Sequence, residues 1–258
     1  MSAKKSGPVG VFDSGMGGVS VLYQIHKMMP NEDLIFIGDS KNNPYGTKTR
    51  DQIKERCFTI CDDLVNRGCK AIVVACNTAT SACIQDLRDR YDIDIIGMEP
   101  ALKPACERGE HQKIAVWATD FTLREKKFAD LMDRFAADHE ITKVPCPKLV
   151  RLVEEDALDD QDKSGGILKR YVEKSGTNPD SIVLGCTHFI FFKKLLRDML
   201  PDTVELIDGN FGTAHHLQDL LKEKDLLNTN GGQIEFLNTL ESKVDLSKRL
   251  FKELEEIQ

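Results

Sequence analysis

The sequence predicts an α/β protein built of two similar halves, each with a largely parallel sheet. Three observations carry this expectation. Short apolar segments alternate with amphipathic ones from Val9 to Ile207, the pattern of strands separated by crossover helices. The same rhythm fills one half of the chain and resumes in the other. Two strands also end in matching turns, Ala71-Ile72-Val73-Val74-Ala75-Cys76-Asn77-Thr78 and Ile182-Val183-Leu184-Gly185-Cys186-Thr187-His188. No other repeat and no low-complexity linker is visible.

The elements follow in order. Val9 to Phe12 is a short buried strand, and the loop Asp13-Ser14-Gly15-Met16-Gly17-Gly18 precedes a helix reaching about Met29. Leu34 to Ile37 is the second strand. The loop from Gly38 to Thr47 leads to an amphipathic helix from Arg50 to Arg67, which Gly68 stops. Ala71 to Ala75 feeds the first cysteine turn and a helix to about Tyr91. Ile93 to Met98 is the next strand, and a short helix lies near Pro100 to Arg108. In the second half, strand Ile114 to Ala118 leads to a helix over Leu123 to His139 and a strand over Ile141 to Cys146. Helices follow around Leu149 to Asp156 and Gly166 to Ser175. Ile182 to Leu184 feeds the second cysteine turn and a helix to Leu200, and Val204 to Ile207 is the last strand assigned.

With 258 residues, 41% hydrophobic and 30% charged, the chain has ordinary globular usage and ample length for a core. Its longest apolar runs are far too short to span a bilayer. Met1-Ser2-Ala3-Lys4-Lys5-Ser6 has no apolar stretch behind its lysines, unlike a signal peptide. A cytoplasmic protein with no membrane partner is therefore expected. The net charge of −7, with no Lys/Arg-rich stripe to offset it, argues against nucleic acid as a partner. A small anionic ligand needs only local N–H groups and helix ends, and stays possible.

Eight cysteines stand at positions 57, 61, 69, 76, 83, 106, 146 and 186. A disulfide framework is not expected in a cytosolic chain of this size. The nearest pair, Cys57-x3-Cys61, lacks the close spacing of a zinc site, so no metal is expected. Cys57, Phe58, Cys61, Leu64 and Val65 can share an apolar helix face. Core packing thus accounts for Cys57 and Cys61, and also for Cys69, Cys83 and Cys106. His215-His216 reads as a helix-surface pair, because adjacent residues do not share a helix face.

In open α/β sheets, ligands bind at the carboxyl ends of the strands. Four loops there carry unusual chemistry. Asp13 to Gly18 offers a carboxylate, a hydroxyl and glycines that admit a close backbone approach. Asn42-Asn43-Pro44-Tyr45-Gly46-Thr47 follows the second strand, and the two cysteine turns complete the set. Taken alone, the first two are ordinary turns. A thiol at a strand-to-helix turn lies where N–H groups and the helix dipole favour a thiolate. Two such thiols suit a paired site with one on each side of a substrate.

These stretches resemble the bacterial glutamate racemase family. Val11-Phe12-Asp13-Ser14-Gly15-Met16-Gly17-Gly18, Asn43-Pro44-Tyr45-Gly46, Ala75-Cys76-Asn77-Thr78-Ala79-Thr80 and Leu184-Gly185-Cys186-Thr187-His188-Phe189 match it in order and spacing. Pro145-Cys146-Pro147-Lys148-Leu149-Val150 with Glu154 is also similar. Cys-Asn-Thr and Gly-Cys-Thr turns recur in related aspartate and hydantoin racemases. The resemblance implies two α/β domains facing across a central cleft, residues 1–97 with 210–258 and residues 98–209. It implies cofactor-independent interconversion of L- and D-glutamate, supplying D-glutamate for peptidoglycan. Cys76 and Cys186 would be the acid/base pair. Asp13, Ser14, Pro44, Tyr45, Gly46, Asn77, Thr78, Thr187 and His188 would hold the amino acid. Thr119 and Thr122 fall where the family has further binding threonines, although Glu125 and Phe128 stand where Ser and Tyr are common. No cofactor is expected, and the assembly expected is a homodimer.

The residues themselves agree with this chemistry. Racemisation removes the Cα proton on one face and returns a proton on the other, which suits two thiols, one ionised and one not. A free thiol has a pKa of about 8.5, so a thiolate at pH 7 costs roughly 2 kcal/mol unless the site helps. Helix N-termini can supply part of that. Asp13 and His188 are candidates to assist proton movement at the two thiols. A charged Asp13 would raise its neighbour's pKa, so it suits a proton acceptor. Glu154 is a candidate to orient His188, with a plain surface carboxylate as the alternative. Two other classes stay open: a cysteine-nucleophile hydrolase or decarboxylase, needing one thiol and an oxyanion hole, and a non-catalytic thiol sensor or binding protein closing a reversible Cys76–Cys186 disulfide. Aspartate or another amino acid is the nearer alternative substrate.

Overall fold

The computed structural model describes residues 4–158 and 161–257. Met1 to Ala3, which open the segment read above as lacking a signal peptide, lie outside the described residues, as do residues 159, 160 and 258.

The fold is α/β, with two parallel sheets in two units that face each other. The first sheet holds β1 (Val9–Asp13), β2 (Leu34–Gly38), β3 (Ala71–Val74), β4 (Asp94–Gly97) and β9 (Ile234–Asn238), in the order β4-β3-β1-β2-β9. The second holds β5 (Lys113–Ala118), β6 (Glu140–Pro145), β7 (Ser181–Leu184) and β8 (Glu205–Ile207), in the order β6-β5-β7-β8. The strand pairings are parallel throughout. β1, β2, β3 and β7 are buried along their whole length. Helices cover both faces of such strands, which is why they read as continuous apolar runs and not as alternation.

The first unit's crossovers are α1 (Val19–Met28), α2 (Arg50–Asn66) and α3 (Asn77–Arg90). Thr49 and Gln52 form a reciprocal capping box at the start of α2. Gly68 ends it in the left-handed conformation, φ +78°. α4 (Leu102–Cys106) passes to the second unit, which carries α5 (Asp120–Arg124), α6 (Lys126–Phe135), α7 (Pro147–Glu154), α8 (Gln161–Lys174) and α9 (Lys193–Met199). α10 (Asn210–Glu223) and α11 (Val244–Ile257) close the chain. One continuous apolar cluster runs from Val11, Phe36 and Val73 of the first sheet to Trp117 and Leu184 of the second, so the units share a core.

Several expectations change. The helix expected over Leu123 to His139 is two helices. Glu125 is extended (φ −64°, ψ 133°), and its carboxylate is drawn into an ion pair with Arg50 at the start of α2. The segment after Cys186 is not an α-helix but a 3₁₀ turn, Thr187–Phe192, before α9. Its Thr187, His188, Phe189, Ile190 and Phe192 are all buried, so no exposed face exists for an amphipathic α-helix. The strand β9 lies beyond the last one assigned. It is a half-buried edge strand whose Ile234 pairs with the distant Leu34. Val65 is exposed, off the stripe formed by Cys57, Cys61 and Leu64. Cys69, Cys83 and Cys106 are buried as core residues, and His215-His216 is exposed on α10.

Candidate active site

The loops after β1, β2, β3, β5 and β7 converge on one small cavity. Ser14, Pro44, Tyr45, Gly46, Cys76, Asn77, Thr78, Thr119, Cys186, Thr187 and His188 line it, with Val150 of α7. Its volume is about 10 Å³, the room of a single water. Asp13, Thr122 and Glu154 stand behind this wall and act on it through hydrogen bonds.

Cys76 caps α3. Its sulfur accepts the Ala79 N–H at 3.4 Å, and its thiol donates to Ser14 Oγ at 3.5 Å. Ser14 in turn donates to Asp13 Oδ1 from its hydroxyl at 3.1 Å and its N–H at 2.6 Å. Asp13 is therefore linked to the thiol through Ser14. Burial, reinforced by the Asp13 charge, pushes the Cys76 thiol well above its ordinary range. The Ser14 hydroxyl and the Ala79 N–H pull the other way and offset only part of this. The helix start does favour a thiolate at Cys76 through the Ala79 N–H, but burial outweighs it.

Cys186 sits in a different setting. It makes no capping bond to the 3₁₀ turn that follows. Its sulfur instead faces His188 Nδ1 at 3.7 Å, and His188 Nε2 lies 2.7 Å from Glu154 Oε1. Glu154 also accepts the Met16 N–H on Oε1 at 2.6 Å and the Ser40 hydroxyl on Oε2 at 3.1 Å. Burial disfavours a charged His188, yet its hydrogen bonds to Cys186 and Glu154, and their negative charges, hold it well above the ordinary imidazole range. Glu154 is partly buried in this network and is not a plain surface carboxylate.

The remaining wall is polar. Thr78 Oγ1 lies 2.9 Å from Thr119 Oγ1 and 3.4 Å from Thr122 Oγ1, joining α3 to the start of α5. Asn77 Nδ2 donates to the Met98 carbonyl at 3.2 Å, while its buried Oδ1 has no partner. The Tyr45 hydroxyl is committed to Asp39 Oδ2 at 2.7 Å, and Arg56 holds the same carboxylate at 3.0 and 3.3 Å. Asp39, Arg56 and Ser40 were not singled out by the sequence reading, and Val150 only as part of a motif. Asp39 had a readable signal, since it follows the end of β2 as Asp13 ends β1. Arg56 and Ser40 owe their places to tertiary contact.

The Asp/Glu/Hydantoin racemase family matches residues 10–216. A glutamate racemase of Bifidobacterium animalis subsp. lactis is 53% identical over 220 residues, covering 84% of this chain and 85% of that protein. Among solved structures, a glutamate racemase from Bacillus anthracis aligns with a TM-score of 0.85 at 27% identity, over 96% of this chain and 95% of that one. The glutamate racemase of Francisella tularensis subsp. tularensis, solved in complex with D-glutamate, gives 0.81 at 28% identity over 96% and 94%. The matched region runs from β1 into α10 and includes both thiols. This chain belongs to the Asp/Glu/Hydantoin racemase family and is a racemase.

Proposed function

We propose that the protein interconverts L- and D-glutamate by proton transfer at Cα between two thiols, Cys76 and Cys186. The observation that supports this most directly is that both thiols line one cavity, each with its own polar relay. One thiolate takes the Cα proton, and the opposite thiol gives its proton to the other face, so the two exchange protonation states at each turnover. Burial keeps Cys76 protonated. Beside Cys186, His188 is held by Glu154 within reach of the sulfur, placed to pass a proton to and from that thiol.

The unpartnered Asn77 Oδ1 suits a substrate ammonium, and the Thr78 and Thr119 hydroxyls suit its carboxylates; Ser14 and Thr187, whose hydroxyls donate to Asp13, must turn from it to do the same. Pro44, Tyr45 and Gly46 shape the wall, with Asp13 and Thr122 supporting it from behind. An amino acid is far larger than the cavity, so the loops must part to admit it. Glutamate as the substrate rests on what the similar proteins are named for. A hydrolase leaves the second thiol and its His188–Glu154 arm without work. Supply of D-glutamate to peptidoglycan, independence of cofactors, a cytoplasmic location and a homodimer belong to this reading through the family resemblance. Among the described residues, no helix is long and apolar enough to cross a membrane.

The test is incubation with L- or D-glutamate in D2O without pyridoxal phosphate. Deuterium should enter Cα as optical rotation decays. No exchange with either enantiomer overturns the reading, and exchange confined to aspartate overturns the substrate while leaving the chemistry.

A further inference from the structure

We infer that Lys243 is a positioning residue for the Cys186 half of the site, acting through Glu154 from the C-terminal segment. The inference rests on reading Cys186, His188 and Glu154 as one proton-handling arm.

Glu154 is the last residue of α7. The final carbonyls of a helix lack intrahelical donors and carry partial negative charge, so a cation placed there is stabilising. Lys243 ends the 3₁₀ turn Glu241–Lys243 that leads into α11, and its Nζ donates to the Glu154 main-chain oxygen. The main chain of Glu154 is thus held from the C-terminal segment, while its carboxylate is held by Met16, Ser40 and His188. Ser40 receives a second tie from the same segment, because Asn238 Nδ2 at the end of β9 donates to its hydroxyl at 3.0 Å. The C-terminal segment therefore reaches the thiol through a short chain of bonds, Lys243 to Glu154 to His188 to Cys186.

The anchoring of this segment does not depend on the ammonium. Leu250, Phe251 and Leu254 of α11 are buried in the shared core, and Arg249 pairs with Asp156 just beyond α7. Replacing Lys243 should therefore leave the fold intact and free the end of α7. Glu154 then holds His188 less firmly, and His188 is set less well against the Cys186 sulfur.

The experiment compares Lys243→Met, Lys243→Arg and the control Lys248→Met, an exposed position of α11. Alkylation of each thiol by iodoacetamide at pH 7 is followed by peptide mass. In Lys243→Met the Cys186 rate should fall roughly tenfold, the loss of one charge-assisted hydrogen bond, with Cys76 unchanged. The kcat for glutamate should fall in parallel with KM nearly constant. Lys243→Arg should restore both, and Lys248→Met should behave as wild type. An unchanged Cys186 rate, or equal changes at both thiols with a lowered melting temperature, overturns the inference. A wild-type protein that does not turn over glutamate sinks the functional reading instead, and the alkylation comparison still decides the role of Lys243.

Discussion

The Thr187 hydroxyl donates to Asp13 Oδ2 at 2.8 Å, so the turn that carries the second thiol is bonded to the strand end that serves the first. Through Ser14, the same carboxylate reaches Cys76. The two halves of the site, from different sheets, are thus tied together at Asp13, while the His188–Glu154 arm serves Cys186 alone.

Cys76→Ser and Cys186→Ser should each lower racemisation by about 10³-fold or more, within the range for losing a general acid or base. Both directions should fall together, because each direction uses both thiols. Polarimetry from either enantiomer checks this, and wild-type turnover in either variant rejects the two-thiol mechanism.

Ser14→Ala removes the hydroxyl between Cys76 and Asp13, which turns from Asp13 to donate to the sulfur when Cys76 ionises. That bond lowers the Cys76 pKa against burial, so its loss should raise the pKa further. Alkylation of Cys76 should need a higher pH, and kcat should fall about tenfold, as for one lost hydrogen bond of this kind. A Cys76 alkylation profile identical to wild type contradicts the relay.

Glu154→Gln keeps the shape but removes the charge beside His188. Glu154 is one of the groups that raise the His188 pKa, so the pKa should drop and His188 should lose its proton at lower pH. The alkaline limb of the kcat profile should shift acidward and its maximum fall by about tenfold or more. A profile that keeps its position shows that His188 does not set that limb.

Stability should decline as pH rises. Burial pushes the thiols of Cys61, Cys69, Cys76, Cys106 and Cys146 up, Cys69 to about 12 and Cys106 to about 11. In the unfolded chain they ionise near about 8.5, so their contribution is full below that pH and lost as pH rises towards the folded values. His188 has the same sign: its contribution is full below about 6.5 and lost as pH rises through its raised folded value. Calorimetry from pH 7 to 10 should show a falling Tm, and a Tm that holds or rises contradicts this account.

Much of the site was legible because its pieces are local. Strand-end loops announce themselves by Gly, Pro, Asn and Thr next to an apolar run. Those at Asp13, Tyr45, Cys76 and Cys186 do converge on one cavity. The glycine-rich loop was legible as a turn, but the reason for Gly17 is tertiary: a Cβ there would overlap the Thr187 hydroxyl and the His188 ring. The carboxylate of Asp39 behind Tyr45 was not legible, because a tyrosine's partner is chosen by packing. Nor was the break at Glu125, an extended residue whose ion-pair partner, Arg50, comes from another helix.

By itself, the sequence determined the alternation of strands and helices, the loops that bear chemistry and the pair of thiols. These depend on side-chain period and turn preference within a few residues. Only the tertiary structure decided that β9 returns to pair with β2, that Glu154 and His188 meet, and that the two thiols differ. The reason is physical: a strand's partner, a buried pair and a thiol's pKa depend on what surrounds them in space. Cys76 and Cys186 look alike along the chain, but one is buried against Asp13 and Ser14 and the other faces His188.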